Sequence, residues 1–452
     1  MHLCFASSDD RAVNVYLVMS GGGVGDYFPQ ADALAKSHGF TGAAGSIVYA
    51  HDADGLLAHV LYGIGNGKDA LGVAALSAKL PEGVYRIASD GGMAFSHIAA
   101  GWADGAYRFD RYKARKTEAP KLFISASEDA DAISREAAAI DHLRNLVNTP
   151  AQDLGPQDIQ ADIQALGKTY GAEVSAIVGD ELLAQNYPMI HAVGRAGDAD
   201  YAPRLVHLTW GDPSHPKLAL VGKGVSFDSG GLNIKPGSGM RIMKKDMGGA
   251  AHVIALAELI MGANLPVHLS LFVPTVENAI SGNAFRPGDI LKSRKGLTVE
   301  IDNTDAEGRL ILGDALTRAS EDDPDILIDF ATLTGAARVA LGADLAPVYT
   351  DDDALAAQIE AGSAESGDPV WRMPLWAPYR SDLSSPIADI VNSGGGFGGS
   401  ITAGLFLKEF VTAKRWVHMD VWAWRKGKYT RPEGGAACGL RAVWQMLKTQ
   451  YQ

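Results

Sequence analysis

Leu297-Thr298-Val299-Glu300-Ile301-Asp302-Asn303-Thr304-Asp305-Ala306-Glu307-Gly308-Arg309-Leu310-Ile311-Leu312 is the stretch around which the chain is read. Residues 297–301 carry the residue types of a strand, and residues 310–319 have the apolar spacing of a helix. Between them Asp305 and Glu307 lie two positions apart, with Arg309 two further on. A strand-to-helix turn makes backbone N–H groups and side chains converge on one point. A purely structural reading also fits: Thr304-Asp-Ala-Glu307 has the form of a capping box, with Thr304 as N-cap and Glu307 reaching back. That explains one acidic turn. A second one lies sixty to eighty residues upstream.

The upstream segment begins with the apolar run 218–222, read as a buried strand, which leads into Lys223-Gly-Val-Ser-Phe-Asp228-Ser-Gly-Gly231 and then Ile234-Lys235-Pro236. Met243-Lys-Lys-Asp246-Met-Gly-Gly249 then opens a long apolar segment, 250–261, where Asp246 occupies an N-cap-like position. Residues 326–330 and 416–421 are further strands, and the glycine-rich 394–399 leads into an apolar helix at 403–411. Residues 149–452 are therefore expected to form one catalytic domain, a sheet flanked by helices. Residues 1–125 alternate short strands (13–18, 56–64, 121–125) with a helix at 92–107, the pattern of a small α/β domain. Its Gly21-Gly22-Gly23-Val24-Gly25 lacks the Lys-Ser/Thr of a phosphate loop and reads as a turn. Between them, residues 126–148 show helical spacing at Ile133, Ala137, Ile140, Leu143 and Val147, ended by Pro150, and are expected to form a connecting helix.

With 452 residues, 47% apolar and 21% charged, the chain has the makeup of an ordinary globular protein with room for two or three domains. Its formal charge of −13 argues against nucleic acid as a partner. Cys4 and Cys438 stand at opposite ends, without disulfide or zinc-ligand spacing. No stretch approaches eighteen unbroken apolar residues. These features predict a cytoplasmic protein with no membrane partner.

Asp228, Asp246, Asp305 and Glu307 each fall at the end of an expected strand or the start of a helix. In an open α/β sheet such turns share a crevice beyond the carboxyl ends of the strands. Carboxylates crowded this way repel and take up protons unless cations cancel their charge. Two divalent ions would do so, lower the pKa of a bridging water, and clamp the reacting atoms. Lys235 and Arg309 would then stabilise an oxyanion or hold an anionic helper. The residues alone predict a two-metal hydrolase, and phosphatases and peptidases both fit.

These segments resemble the dinuclear-metal leucyl aminopeptidases of the cytosol. The resemblance rests on Lys223 to Lys235, Asp246-Met-Gly-Gly-Ala-Ala251, Asn303-Thr-Asp-Ala-Glu-Gly-Arg-Leu310 and Ala331-Thr-Leu-Thr-Gly335. Ala106-Tyr-Arg-Phe-Asp-Arg-Tyr-Lys113, Asn148-Thr-Pro150 and Gly399-Ser-Ile-Thr402 extend it along almost the whole chain. It implies a small N-terminal α/β domain similar to macro domains, and a larger catalytic domain with a mixed sheet flanked by helices. It implies a homo-hexamer acting on peptides, releasing N-terminal leucine-like residues by attack of a metal-bridging water. One zinc or manganese ion would be held by Lys223, Asp228, Asp246 and Glu307, and another by Asp228, Asp305 and Glu307. Lys235 would polarise the scissile carbonyl, with backbone help near Leu333, and Arg309 would hold a bicarbonate general base. The free α-amine would meet one metal and Asp246. Met243, Thr332, Gly335 and the segment around Ala437 would line the pocket for the first side chain.

The chain departs from the family pattern after His418-Met419-Asp420. Small residues are usual there, whereas Val421-Trp422-Ala423-Trp424 follows here, and Cys438 stands where threonine is common. The departure bears on side-chain preference and leaves the expected ligands in place.

Overall fold

Apolar strands of the catalytic half assemble into a nine-stranded mixed sheet, in a computed structural model that describes residues 1–427 and 431–452. Across the sheet the order is Val370–Met373, Ala346–Tyr349, Trp416–Asp420, Ile326–Ala331, Lys217–Gly222, His268–Asn278, Arg204–Trp210 and Glu173–Val178. Gly224–Asp228 pairs with the far end of His268–Asn278. The four central strands, from Trp416–Asp420 to His268–Asn278, run parallel. Buried on both faces, they read as unbroken apolar runs such as Leu218-Ala219-Leu220-Val221. The helices Gly248–Gly262 and Glu307–Glu321 pack on this sheet. The core gathers Val221, Phe272, Leu310, Ile311, Leu327 and Phe406.

The helix Gly248–Gly262 reaches the sheet through glycine. A Cβ on Gly249 would stand 2.2 Å from the Phe330 carbonyl oxygen, so any larger residue would lift the helix start off the strand end. That close approach brings the preceding turn, Met243–Met247, down to the carboxyl edge of the sheet. The expectation that Asp246 caps this helix is not met: Met247 is the flanking residue, and Asp246 lies inside the turn.

Two expectations about the acidic turn also change. Its strand is short, Thr298–Glu300, and belongs to a separate three-stranded sheet with Ile290–Lys292 and Ile390–Val391. The helix starts at Glu307 with Ala306 flanking it and no side-chain cap, so Thr304 and Glu307 form no capping box. Thr304 donates its hydroxyl to the Gly230 carbonyl (2.7 Å) and accepts from the Asn233 N–H (2.9 Å) instead. Tertiary partners outcompete the local cap.

The chain divides into two compact units, residues 1–141 with 425–434, and residues 142–424 with 435–452. The boundary falls inside the helix Ala130–Asn148. The smaller unit is a six-stranded sheet ordered Phe5–Ala6, Lys121–Phe123, Val84–Ser89, Val13–Met19, Leu57–Gly65 and Ile47–His51. All its pairings are parallel except the last. The helix Phe95–Ala106 supplies Ile98 and Trp102 to a core shared with Val15, Leu17 and Tyr62.

Candidate metal centre

Four functional positions stand at, or one residue beyond, the carboxyl ends of the parallel strands: Lys223, Asn278, Thr332 and Asp420. Asp228 ends the short Gly224–Asp228 strand. This is the crevice where open α/β sheets bind ligands. Gly230 and Gly231 then turn the chain with φ of 88° and 62°, left-handed backbone that favours glycine, and carry it to Lys235.

The structure brings the expected ligands together. Asp228, Asp305 and Glu307 each offer a carboxylate oxygen, and the three oxygens lie within 4.8 Å of one another. These are the three carboxylates assigned by resemblance to one of the metals. Lys223 Nζ lies 2.6 Å from Asp246 Oδ2 and 2.9 Å from Glu307 Oε1, and donates to the Thr332 carbonyl at 3.0 Å. Lys235 Nζ lies 2.7 Å from Asp228 Oδ2 and pairs also with Asp305. Burial works against the Lys223 ammonium, but Asp246, Glu307 and Asp228 overcome it and hold its pKa above the usual lysine value. Lys235 is raised for the same reasons, with Asp228 its strongest partner.

The carboxylates show what this crowding costs. Burial and then the charge of Asp228 push Glu307 up to about 8, and the same two causes push Asp305 up to about 6. Burial also acts to raise Asp246, yet Lys223, Lys245 and Lys235 outweigh it and leave its pKa lowered. Four acids share three lysines here, Lys223, Lys235 and, at 3.6 Å from Asp246, Lys245. Glu307 Oε1 is buried, with the Lys223 ammonium 2.9 Å away. Four buried or half-buried carboxylates, three of them with oxygens within 4.8 Å of one another, form an oxygen-rich cluster that fits divalent cations.

Asn278 and Asn392, which sequence reasoning passed over, hold this cluster in place together with Thr332 and Asp420. Asn278 donates from Nδ2 to Asp228 Oδ1 (2.8 Å) and to the Thr304 carbonyl (3.1 Å), joining the two acidic turns. Asn392 Oδ1 accepts from the N–H groups of Asp302 and Asn303, pinning the second turn from outside. Thr332 donates its hydroxyl to Asp246 Oδ1 at 2.8 Å. Asp420 accepts from the N–H groups of Leu333 (3.0 Å) and Thr334 (3.1 Å) and from the Thr334 hydroxyl (2.6 Å). The Leu333 N–H is thus engaged by Asp420 in this structure. Asn278 and Asn392 belong to no short-range motif, so only their strand-end positions could have marked them, whereas Thr332 and Asp420 stand in segments that the resemblance already quotes.

Arg309 is buried on the helix Glu307–Glu321. Its Nη1 donates to the Asn392 carbonyl at 2.7 Å, its guanidinium lies over Phe406, and its Nε is buried with no partner among the described residues. Burial lowers its pKa to about 10 against the pull of Glu307 and Asp420. Of the expected pocket residues, Met243, Thr332 and Ala437 are buried, and Gly335 is exposed at the start of the helix Gly335–Leu341.

A mixed sheet with an acidic cluster and two lysines at its carboxyl edge defines a metal-dependent hydrolase of the α/β class. Residues 141–444 match the catalytic domain of the cytosol aminopeptidase family, and residues 26–125 match the M17 aminopeptidase N-terminal domain. The chain belongs to the cytosol aminopeptidase family and is a metal-dependent aminopeptidase, a hydrolase acting on peptides. A probable cytosol aminopeptidase of Streptomyces coelicolor is 36% identical over 492 aligned positions, covering 94% of this chain and 93% of that protein. A probable cytosol aminopeptidase of Trichormus variabilis is 41% identical over 362, covering 76% and 73%. The crystal structure of the cytosol aminopeptidase from Coxiella burnetii superposes with a TM-score of 0.93 at 40% identity, over 99% of this chain and 100% of that one. The bottromycin maturation enzyme BotP in complex with Mn superposes at 0.87 with 34% identity, over 98% and 100%. Among the described residues no helix is long and apolar enough to cross a membrane.

Proposed function

We infer that this aminopeptidase releases leucine-like, apolar N-terminal residues from peptides with two divalent cations per subunit. The observation that carries the reading is the convergence of Asp228, Asp305 and Glu307 oxygens within 4.8 Å, flanked by Lys223 and Lys235. Lys223, Asp228, Asp246 and Glu307 would hold one ion, and Asp228, Asp305 and Glu307 the other. Bound there, the ions supply a polarised water and an electrophilic seat for the scissile carbonyl.

The protein's own groups do the rest. Lys235, an ammonium held at the site edge by Asp228 and Asp305, donates to the oxygen that gains charge as the tetrahedral intermediate forms. Asp246, fixed by the Thr332 hydroxyl, accepts from the free α-amine, which restricts cleavage to chain ends. Arg309 offers its Nε, without a partner among the described residues, to a bicarbonate that serves as general base. Met243, Thr332, Gly335 and Ala437 would line an apolar pocket for the first side chain. Zinc and manganese both suit these ligands, and a related enzyme has been captured with Mn. A cytoplasmic homo-hexamer is the assembly that the resemblance implies.

The test is hydrolysis of leucine p-nitroanilide by the chelator-stripped protein, before and after zinc or manganese is restored. Activity should vanish and return. Hydrolysis indifferent to chelation rejects the metal reading.

A further inference from the structure

Trp422 stands where the resemblance implies a small residue, and nothing in the reaction as described uses it or Ala423 beside it. Ala423 is buried and adopts φ +57°, a left-handed conformation that L-residues other than glycine rarely take. Its methyl is packed against the start of the helix Gly248–Gly262: a Cβ on Gly248 would stand 2.4 Å from Ala423 Cβ. The unfavourable backbone is therefore locked by packing two residues after Asp246.

The neighbouring indole is shared by two cations. Lys245 Nζ lies 4.0 Å from the centre of the Trp422 ring, and Arg338 Cζ lies 4.2 Å from it. Lys245 belongs to the Met243–Met247 turn and is buried, 1% exposed, with its Nζ 3.6 Å from Asp246 Oδ1. Arg338 belongs to the exposed helix Gly335–Leu341, which follows Thr332, the residue that holds Asp246. Thr334, Ala337, Asp420 and Cys438 line a narrow cleft beside the indole, which is itself half-buried. A buried ammonium needs compensation, and the face of an aromatic ring supplies it more strongly when water is excluded.

We propose that Trp422 is a positioning residue for Asp246: its ring holds Lys245 beside Asp246 Oδ1 and, through Arg338, ties the Asp246 turn to the helix that follows Thr332. The proposal rests on reading Asp246 as a metal ligand. Without the ring, the Lys245 ammonium must find other compensation, and the nearby oxygens are those of the ligands.

The test uses the full-length, metal-stripped protein, with Mn²⁺ affinity measured by equilibrium dialysis beside kcat and KM. Trp422→Leu should weaken Mn²⁺ binding by about tenfold, the scale of a lost supporting partner of a ligand. Trp422→Phe, which keeps a ring face, should stay within about threefold of the parent. Adding Lys245→Met to Trp422→Leu should restore most of the affinity, because the uncompensated ammonium is gone. Parent-like Mn²⁺ affinity in Trp422→Leu, or equal losses in the Leu and Phe variants, overturns the proposal. Should Trp422→Leu not fold, Arg338→Ala on the exposed helix carries the test, with about twofold to fivefold weaker Mn²⁺ binding expected. Simple loss of a positive charge would strengthen cation binding instead, so unchanged or tighter binding there also overturns it. Asp246→Asn is the control for the underlying reading. If that variant binds Mn²⁺ like the parent, the ligand assignment is at fault; if it loses Mn²⁺ while Trp422→Leu does not, the positioning role alone falls.

Discussion

Gly308 and Lys223 are packed so closely that a Cβ on Gly308 would fall 2.4 Å from Lys223 Cε and 2.8 Å from its Nζ. The end of a lysine normally swings aside from such a contact. Here Nζ is fixed by Asp246, Glu307 and the Thr332 carbonyl, all buried with it. Gly308 is also the second residue of the helix Glu307–Glu321, where alanine would be preferred by up to about 1 kcal/mol. Gly308→Ala therefore sets helix stability against site geometry. Its melting temperature should stay within a few degrees of the parent, while kcat falls at least about tenfold through misplacement of Lys223 and Glu307. Thermal melting beside steady-state kinetics checks this, and parent-like turnover would show that Lys223 is free to move.

Lys223→Arg keeps the positive charge and so preserves the balance with Asp246 and Glu307. A guanidinium cannot shed its proton to become a ligand, whereas an amine can. The variant should fold, since leaving a buried carboxylate unpaired, at about 3–5 kcal/mol, is avoided. It should bind one metal equivalent fewer than the parent, with activity lost. Metal analysis after gel filtration gives the count, and two full equivalents would remove Lys223 from the ligand set.

How far the sequence could be read follows from how local each feature is. The central strands, the helix Gly248–Gly262 and the two acidic turns are written in contiguous residues, as apolar runs and as carboxylates beside glycine. The structure finds them within a few residues of the expected bounds. The capping-box pattern that Thr304 also fits is outweighed by the Gly230 carbonyl 74 residues away. The roles of Asn278, Asn392 and Asp420 carry no local signature for a related reason. Each is a single polar residue whose partners lie 26 to 90 positions distant, so no short window contains the interaction. Ala423 could not be foreseen either, because its left-handed backbone comes from packing against Gly248.

Arg309→Ala tests the bicarbonate reading without disturbing the expected ligands. The buried guanidinium donates to the Asn392 carbonyl and leaves Nε without a partner among the described residues. Its removal should slow turnover rather than abolish it, with metal content unchanged. Added bicarbonate should accelerate the parent and have no effect on the variant. Equal stimulation of both proteins by bicarbonate would count against a role for this residue.

The buried His252 makes an acid-stability prediction that involves no metal. Its Nδ1 lies 2.6 Å from the Gly248 carbonyl and must donate to it, while Nε2 accepts the Cys438 N–H at 3.0 Å. The neutral ring is thus fully satisfied, and a second proton would set a donor against the Cys438 donor. Burial lowers the pKa to about 4, partly opposed by the Gly248 carbonyl. The folded value lies below the unfolded one of about 6.5, so the neutral ring's contribution is complete above about pH 6.5 and is lost as pH falls through about 4. The full amount is on the order of 3 kcal/mol. The protein should lose stability steadily between pH 6.5 and 4, and His252→Gln should be less stable at pH 7 but flatter over that range. Urea unfolding at pH 7, 5.5 and 4.5 reads both slopes, and identical acid limbs in the two proteins would place the loss on other groups.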